Sequence, residues 1–214
     1  MKTKLLLLCV AFTFLFTYFS YIVAKERWVQ IDFDTMVKLQ DKISRRFDVE
    51  FSYFSLLGSA EVTIGFCLIL VFLALIRRRW LAILGWLVII PASLGEIFGK
   101  LVLFHPGPPV FFHRSILQTG LPSFYVHTNF SYPSGHMTRT VFIITVFASM
   151  MIFSSGNYIR KAAALSLLIL LGIMMGMTRV YLGEHWLSDV IGGSLLGGAS
   201  GFFASVLILR RKKV

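Results

Sequence analysis

Charge is what this sequence has least of. Only 14% of its 214 residues are Asp, Glu, Lys or Arg, against 57% hydrophobic, and its mean hydropathy is +0.78. A soluble domain of this length needs more polar surface than that to cover its core, so the composition points to a membrane protein. Cysteine is nearly absent. Cys9 and Cys67 both lie inside apolar runs, which argues against a disulfide framework or a cysteine metal site and leaves two small apolar residues in helices. Acidic residues are scarcer than basic ones, 10 against 21, giving a formal net charge of +11. Such an excess could signal a nucleic-acid partner, but its distribution along the chain points elsewhere.

What the chain does have is six long apolar stretches, at 5–24, 57–76, 80–98, 136–153, 162–178 and 188–209. Each is near the roughly 20 residues that a helix needs to cross the hydrocarbon core. The expected fold is therefore all-α, a bundle of six transmembrane helices forming a single domain over 1–214. The loops set its orientation. Lys2 and Lys4 precede the first span, Arg77, Arg78 and Arg79 separate the second from the third, Arg160 and Lys161 the fourth from the fifth, and Arg210, Arg211, Lys212 and Lys213 follow the sixth. No acidic residue accompanies them at these alternate ends, and all 10 fall elsewhere. That is the positive-inside pattern with both termini cytoplasmic. It accounts for the basic charge with no nucleic-acid partner. The first 24 residues read as an uncleaved anchor rather than a signal peptide, because the apolar run is long and Ile22 is a poor residue at the −3 position before Ala24.

Residues 25–56 form the first outer loop. Met36, Leu39, Ile43 and Phe47 recur there at helical spacing among Lys38, Asp41, Lys42, Arg45 and Arg46. This predicts an amphipathic helix, either lying on the outer interface beside lipid headgroups or capping the bundle. Gly172 and Gly176, and the stripe Gly193, Gly197 and Gly201, mark faces where membrane helices approach closely. Packing within one bundle is the simpler use of them, although a dimer face would need the same residues, and the oligomeric state stays open.

Polar residues concentrate in three segments on the predicted outer side: Lys100 to Arg114, Tyr132 to Arg139, and Thr178 to Asp189. His185 and Asp189 are four apart, so at the start of a helix they share a face. Asp189 could then fix the tautomer of His185 and leave its other nitrogen free as a nucleophile. The same spacing also suits a structural His–Asp pair at a helix end. Pro133-Ser134-Gly135-His136 opens the fourth span, where free backbone N–H groups and the Ser134 hydroxyl form a ready anion site. His136 could donate a proton to a leaving oxygen, or be simply interfacial. Lys100 could bind phosphate or snorkel to the interface. Glu96, one turn earlier, could pair with it or, as an intramembrane carboxylate, be functional itself.

At these residues the chain resembles the type 2 phosphatidic acid phosphatase family, the PAP2 superfamily, which also includes vanadium haloperoxidases. Pro133-Ser134-Gly135-His136 matches the family's second motif completely. Thr178-Arg179, His185 and Asp189 match the third with its spacing intact and serine replaced by threonine. The first motif keeps Lys100 and Pro108 but has Gly107 where the family has arginine, so one phosphate-binding charge is missing. His105, His113, Arg114 and Arg139 are the candidates to supply it. The core motifs lie within 100–189.

The resemblance implies a metal-independent phosphoric ester hydrolase. His185 would attack phosphorus to form a phosphohistidine, with Asp189 orienting it. His136 would protonate the leaving group and then help activate water. Lys100, Ser134, the Gly135 N–H and Arg179 would hold the phosphate oxygens. No metal and no cofactor are implied, since lysine, arginine and backbone N–H take the metal's place. The expected partners are a lipid phosphate substrate and membrane lipids. Undecaprenyl diphosphate, phosphatidylglycerol phosphate and phosphatidic acid are the substrates the family suggests, and the short, polar-poor loops suit a bacterial plasma membrane with the site on the extracytoplasmic face. The missing arginine motivates a competing reading, a lipid-phosphate binding or transport protein that has lost catalysis. A soluble haloperoxidase does not fit six spans, while a phosphatase for a small soluble ester stays open.

Overall fold

A computed structural model describes residues 1–117 and 130–209 of the chain. Among the described residues there are nine α-helices and no strand: α1 (Lys2–Ala24), α2 (Val29–Lys42), α3 (Asp48–Ser55), α4 (Ala60–Ile76), α5 (Trp80–Leu87), α6 (Ile89–Val102), α7 (Gly135–Phe153), α8 (Tyr158–Tyr181) and α9 (Leu187–Ile208). Six segments are long and apolar enough to cross a membrane: α1, the run Arg45–Ile76, the run Trp80–Val102, α7, α8 and α9. The expected all-α six-span bundle is the observed one. The basic residues Arg210, Arg211, Lys212 and Lys213 lie outside the described residues.

Local chemistry sets several helix limits. The Ser59 Oγ accepts Val62 N–H at 3.3 Å to open α4, and the Asn157 side chain accepts Ile159 and Arg160 N–H at 2.8 and 3.3 Å to open α8. The third span breaks at Val88, between α5 and α6. Pro91 explains the break, because a proline lacks the N–H that would continue the α5 ladder at that point and its ring crowds the preceding turn.

The core is organised around α9, which is flanked by α7, α1 and α5. Its glycines make this possible. A side chain at Gly193 or Gly197 would overlap the backbone carbonyls of Ser134 or Thr138 on α7, and one at Gly201 would overlap Thr145. On another face, a side chain at Gly198 would overlap Phe12 of α1. The small-residue stripe is therefore consumed inside one bundle. Trp86, Phe142, Val146, Ala204 and Ile208 fill the layer below the site. Large apolar side chains such as Leu7, Phe14, Phe72 and Ile173 are exposed, as lipid-facing positions are in a membrane protein, where hydrocarbon replaces water as their surroundings.

The predicted amphipathic helix of the first outer loop exists as α2, but it is shorter than its apolar pattern suggests. It ends at Lys42, and Ile43 is extended. Ser44 then opens a 3₁₀ turn, Arg45–Phe47, by accepting Arg46 N–H, and α3 begins a new direction. Ile43 and Phe47 therefore do not share a helix face with Met36 and Leu39. The inner face of α2 packs against α8 and α9, with Met36 fully buried. Its Gln40 amide donates to the carbonyls of Phe112 at 2.8 Å and Tyr181 at 2.9 Å. The inner face of α2 thus caps the bundle, while Val29, Ile31 and Phe33 on the same helix stay exposed.

Candidate active site

Hydrogen bonds tie the three polar segments together directly. Ser134 N–H donates to the Asp189 carbonyl at 3.0 Å, joining the start of α7 to the start of α9. Trp186 Nε1–H donates to the Pro106 carbonyl at 2.9 Å, joining the α8–α9 turn to the loop after α6. That turn depends on Gly183, whose φ of +70° is left-handed and whose Cα faces the Phe112 carbonyl with no room for a side chain. Only glycine meets both demands, and the turn it makes delivers His185 to the mouth of α9.

His185 Nδ1 lies 3.2 Å from Asp189 Oδ2, and the same oxygen accepts Trp186 N–H at 3.0 Å. Asp189 is completely buried and His185 nearly so. Burial holds the imidazole well below the ordinary histidine pKa, and the charges of Arg179 and Lys100 push it further down. His185 is thus neutral at physiological pH, with Nδ1 engaged by the carboxylate. His136, on the first turn of α7, lies within the field of Arg179, Arg139, His185 and Lys100, and the turn at Gly58 packs against its ring.

Three cations face this pair. Arg179, buried in the last turn of α8, is held by Ser55 and Glu184. Burial would raise the Glu184 carboxyl, but the charges of Arg179 and His185 outweigh it and hold it below the usual glutamate value. Lys100 Nζ is 2.7 Å from Glu96 Oε1, and Arg139 Nη1 is 2.9 Å from Glu96 Oε2. The Glu96 carboxylate lies directly on the Cα of Gly135, where any side chain would overlap it. Ser134 is the N-cap residue of α7, yet its hydroxyl makes no capping bond, and this fully buried Oγ is unpaired among the described residues, as are Arg139 Nε and Arg179 Nε. Buried polar groups are normally paired, so these three atoms stand out beside the histidines as groups open to a further partner.

The candidates for the absent first-motif arginine separate clearly. Arg139 shares Glu96 with Lys100, at the start of α7. Arg114 is engaged elsewhere: its guanidinium donates to the Gln40 carbonyl at 3.1 Å and the Ile43 carbonyl at 3.5 Å and lies over the Tyr181 ring. It fastens α2 to α8 instead of entering the pocket. His105 is turned to the other oxygen of Asp189, at 3.6 Å from Oδ1, and His113 is exposed. Gly107 itself has open space, its nearest neighbour to a built Cβ being Ser131 Cβ at 3.6 Å.

Sequence reasoning did not single out Ser55, Glu184, Ser188 or Asp32. For Asp32 a signal exists: it falls one helical turn before Met36 and so places an acid on the apolar stripe of α2. The other three carry no pattern of their own, since their roles arise from contacts distant in the chain.

The fold is thus a six-span bundle that gathers buried cations, an uncapped helix start and a His–Asp pair in one polar cluster. The comparisons with known proteins give it a family. Residues 80–213 match the PAP2 superfamily, and the chain belongs to that superfamily, in its membrane phosphatase fold. It is 32% identical over 72 residues to phosphatidylglycerophosphatase B of Bacillus subtilis (strain 168), a match that takes in 33% of this chain and 35% of that relative's length. The crystal structure of a transmembrane PAP2-type phosphatidylglycerolphosphate phosphatase from Bacillus subtilis superposes with a TM-score of 0.73 at 19% identity, covering 92% of this chain and 94% of that one. Aquifex aeolicus LpxE superposes with a TM-score of 0.58 at 23% identity, covering 81% and 94%. At these identities the two structures speak for the fold.

Proposed function

We propose that this protein is a membrane phosphatase that hydrolyses a lipid phosphate or diphosphate through a phosphohistidine, without a metal ion. The observation that carries this reading is the His185–Asp189 pair. With Nδ1 turned to Asp189, the neutral ring presents Nε2 as a nucleophile, and an ionised Asp189 stabilises the positive charge that develops on the ring. Nε2 attacks phosphorus, the phosphorus–oxygen bond to the leaving group breaks, and His136, which takes up a proton once the negative phosphate offsets the cations around it, gives that proton to the leaving oxygen. Water then attacks the phosphohistidine while His136 takes its proton, releasing inorganic phosphate and restoring His185. Lys100, Arg139, Arg179, the Ser134 hydroxyl and the Gly135 N–H hold the equatorial oxygens, in a buried site where such charges act strongly. Arg139 supplies the charge that Gly107 does not. An arriving phosphate competes with the Glu96 carboxylate for Lys100 and Arg139.

A lipid substrate is favoured by an apolar groove of about 460 Å³ between α7, α8 and α9. Met137, Val180 and Val190 line it, each next in sequence to a proposed site residue, and we take this groove as the path for the apolar tail. Undecaprenyl diphosphate, phosphatidylglycerol phosphate and phosphatidic acid all fit that chemistry. The alternating basic loops support a site on the extracytoplasmic face with both termini cytoplasmic, and the bacterial relatives support a bacterial plasma membrane.

The test is phosphate release by detergent-purified protein in excess EDTA, with these three lipids and a soluble phosphate ester as substrates and His185→Ala as the control. Release that survives EDTA and vanishes in the variant is expected. Absence of release by folded protein would favour the second reading, a lipid-phosphate binder, which the glycine at position 107 motivates.

A further inference from the structure

The polar network behind the His185–Asp189 pair reaches beyond the shared motifs. Asp32 projects from α2, outside the residues 80–213 that match the superfamily, and is only 2% exposed. Its Oδ1 accepts Ser188 N–H at 2.7 Å and its Oδ2 accepts the Ser188 hydroxyl at 2.7 Å. Ser188 Oγ lies 3.2 Å from His105 Nε2. That nitrogen is 3.6 Å from Asp189 Oδ1 and 3.9 Å from Asp32 Oδ2. While Asp189 Oδ2 serves His185 and Trp186, Oδ1 has no hydrogen bond within ordinary geometry. His105 Nε2 and the Ser131 hydroxyl are the nearby groups able to serve it.

The directions of these bonds follow from the donors available. An ionised carboxylate only accepts. Ser188 has one hydroxyl proton and gives it to Asp32, so its oxygen can only accept from His105. His105 Nε2 therefore carries a proton, and this N–H points toward Ser188 Oγ and the open oxygen of Asp189. We propose that Asp32 and His105 are positioning residues for the phosphoryl transfer: Asp32, acting through Ser188, sets His105 as the Nε2–H tautomer, and that N–H holds Asp189 in the orientation that presents His185 to phosphorus. The inference rests on the phosphatase reading above.

The relay is sensitive to pH at Asp32. Burial pushes this carboxyl up to about 6; the two Ser188 bonds oppose the shift and Asp189 adds to it. The ionisable groups facing Asp32 are Asp189 on α9 and His105 from the loop after α6, while Arg179 on α8 is turned to Ser55 and Glu184. Below about pH 6, a protonated Asp32 can donate to Ser188 Oγ, which frees the Ser188 proton to turn to His105 Nε2 and reverses the chain of bonds. Asp32→Asn makes the reversed arrangement permanent, since its carbonyl keeps the Ser188 N–H and its NH₂ donates to Ser188 Oγ.

The test uses the full chain in detergent, with dioctanoyl phosphatidic acid as the probe for phosphate release. Selective ¹⁵N-histidine labelling reports the His105 tautomer, its signals identified by their loss in His105→Gln. Asp32→Asn is expected to lower kcat by about tenfold or more with KM within about twofold, and to move His105 from Nε2–H to Nδ1–H at neutral pH. His105→Gln, which keeps a donor, should stay within about fivefold of the parent, whereas His105→Leu should lose about tenfold or more. An Asp32→Asn variant with the parental kcat overturns the proposal, and so does a His105→Leu variant as active as His105→Gln. The tautomer is read without catalysis. Protein that releases no phosphate from the probe counts against the phosphatase reading, while a His105 tautomer indifferent to Asp32 counts against this inference.

Discussion

His185 illustrates how burial selects chemistry at a single residue. Its pKa in the folded protein lies well below the ordinary value, so between that depressed value and about 6.5 the unfolded chain binds a proton that the folded chain does not. Stability from this group is complete above about pH 6.5 and declines as pH falls through the window below it. His185→Gln should therefore show a smaller drop in Tm between pH 7.5 and 5.5 than the parent, measured by thermal unfolding in detergent. Arg139 yields a second prediction. On the proposed mechanism, Arg139→Gln removes a cation that meets the transition-state charge and should cost about 100-fold in kcat, the usual scale for a lost oxyanion partner. Adding Gly107→Arg, which enters open space beside Ser131, should restore part of it. No recovery in the double variant would show that the two positions do not reach the same phosphate.

At the scale of elements, glycine decides where α9 lies. Its face toward α7 is nearly bare backbone, so the carbonyls of Ser134 and Thr138 lie against the Cα atoms of Gly193 and Gly197, while toward α1 Gly198 makes room for the Phe12 ring. Gly197→Val would drive a branched side chain into Thr138 and Phe142 and should lower stability by about 3 kcal/mol or prevent folding, at or beyond the upper end of overpacking costs. Gly65→Ala on α4, where a Cβ meets nothing within 4 Å, should leave Tm unchanged or slightly higher, because alanine favours the helix. The contrast separates glycines required by packing from one that is merely tolerated. The helix α2 shows the opposite relation, in which a single charged residue on an otherwise apolar face, Asp32, ties an outer element to the start of α9.

For the whole molecule, the alternating basic loops predict that the α7–α8 turn around Asn157 faces the cytoplasm and that α2 faces outward. In a background free of Cys9 and Cys67, a cysteine placed at Asp34 should react with a membrane-impermeant thiol reagent in intact cells. One placed at Asn157 should react only after the membrane is opened. Equal labelling of both would reverse or abolish the assigned topology.

Hydropathy and spacing alone made the six spans legible, because a helix in hydrocarbon must satisfy its own backbone and expose apolar side chains along its whole length. The pairing of His185 with Asp189 was legible too, as a contact within one helical turn. What tertiary structure decided were the contacts between distant segments. Four basic or imidazole side chains, His105, His113, Arg114 and Arg139, were candidates to replace the missing arginine. Only packing placed Arg139 on Glu96 beside Lys100, sent Arg114 to the carbonyls at the end of α2, and turned His105 to the open oxygen of Asp189. Sequence made the Ser134 hydroxyl part of an anion site at the start of α7, and only the folded chain showed that it makes no capping bond. The physical reason is common to all of them. Helical periodicity records which way a side chain points from its own axis, whereas the partner it meets depends on how closely neighbouring axes approach, and here that was determined by the glycines of α9 and the turn at Gly183.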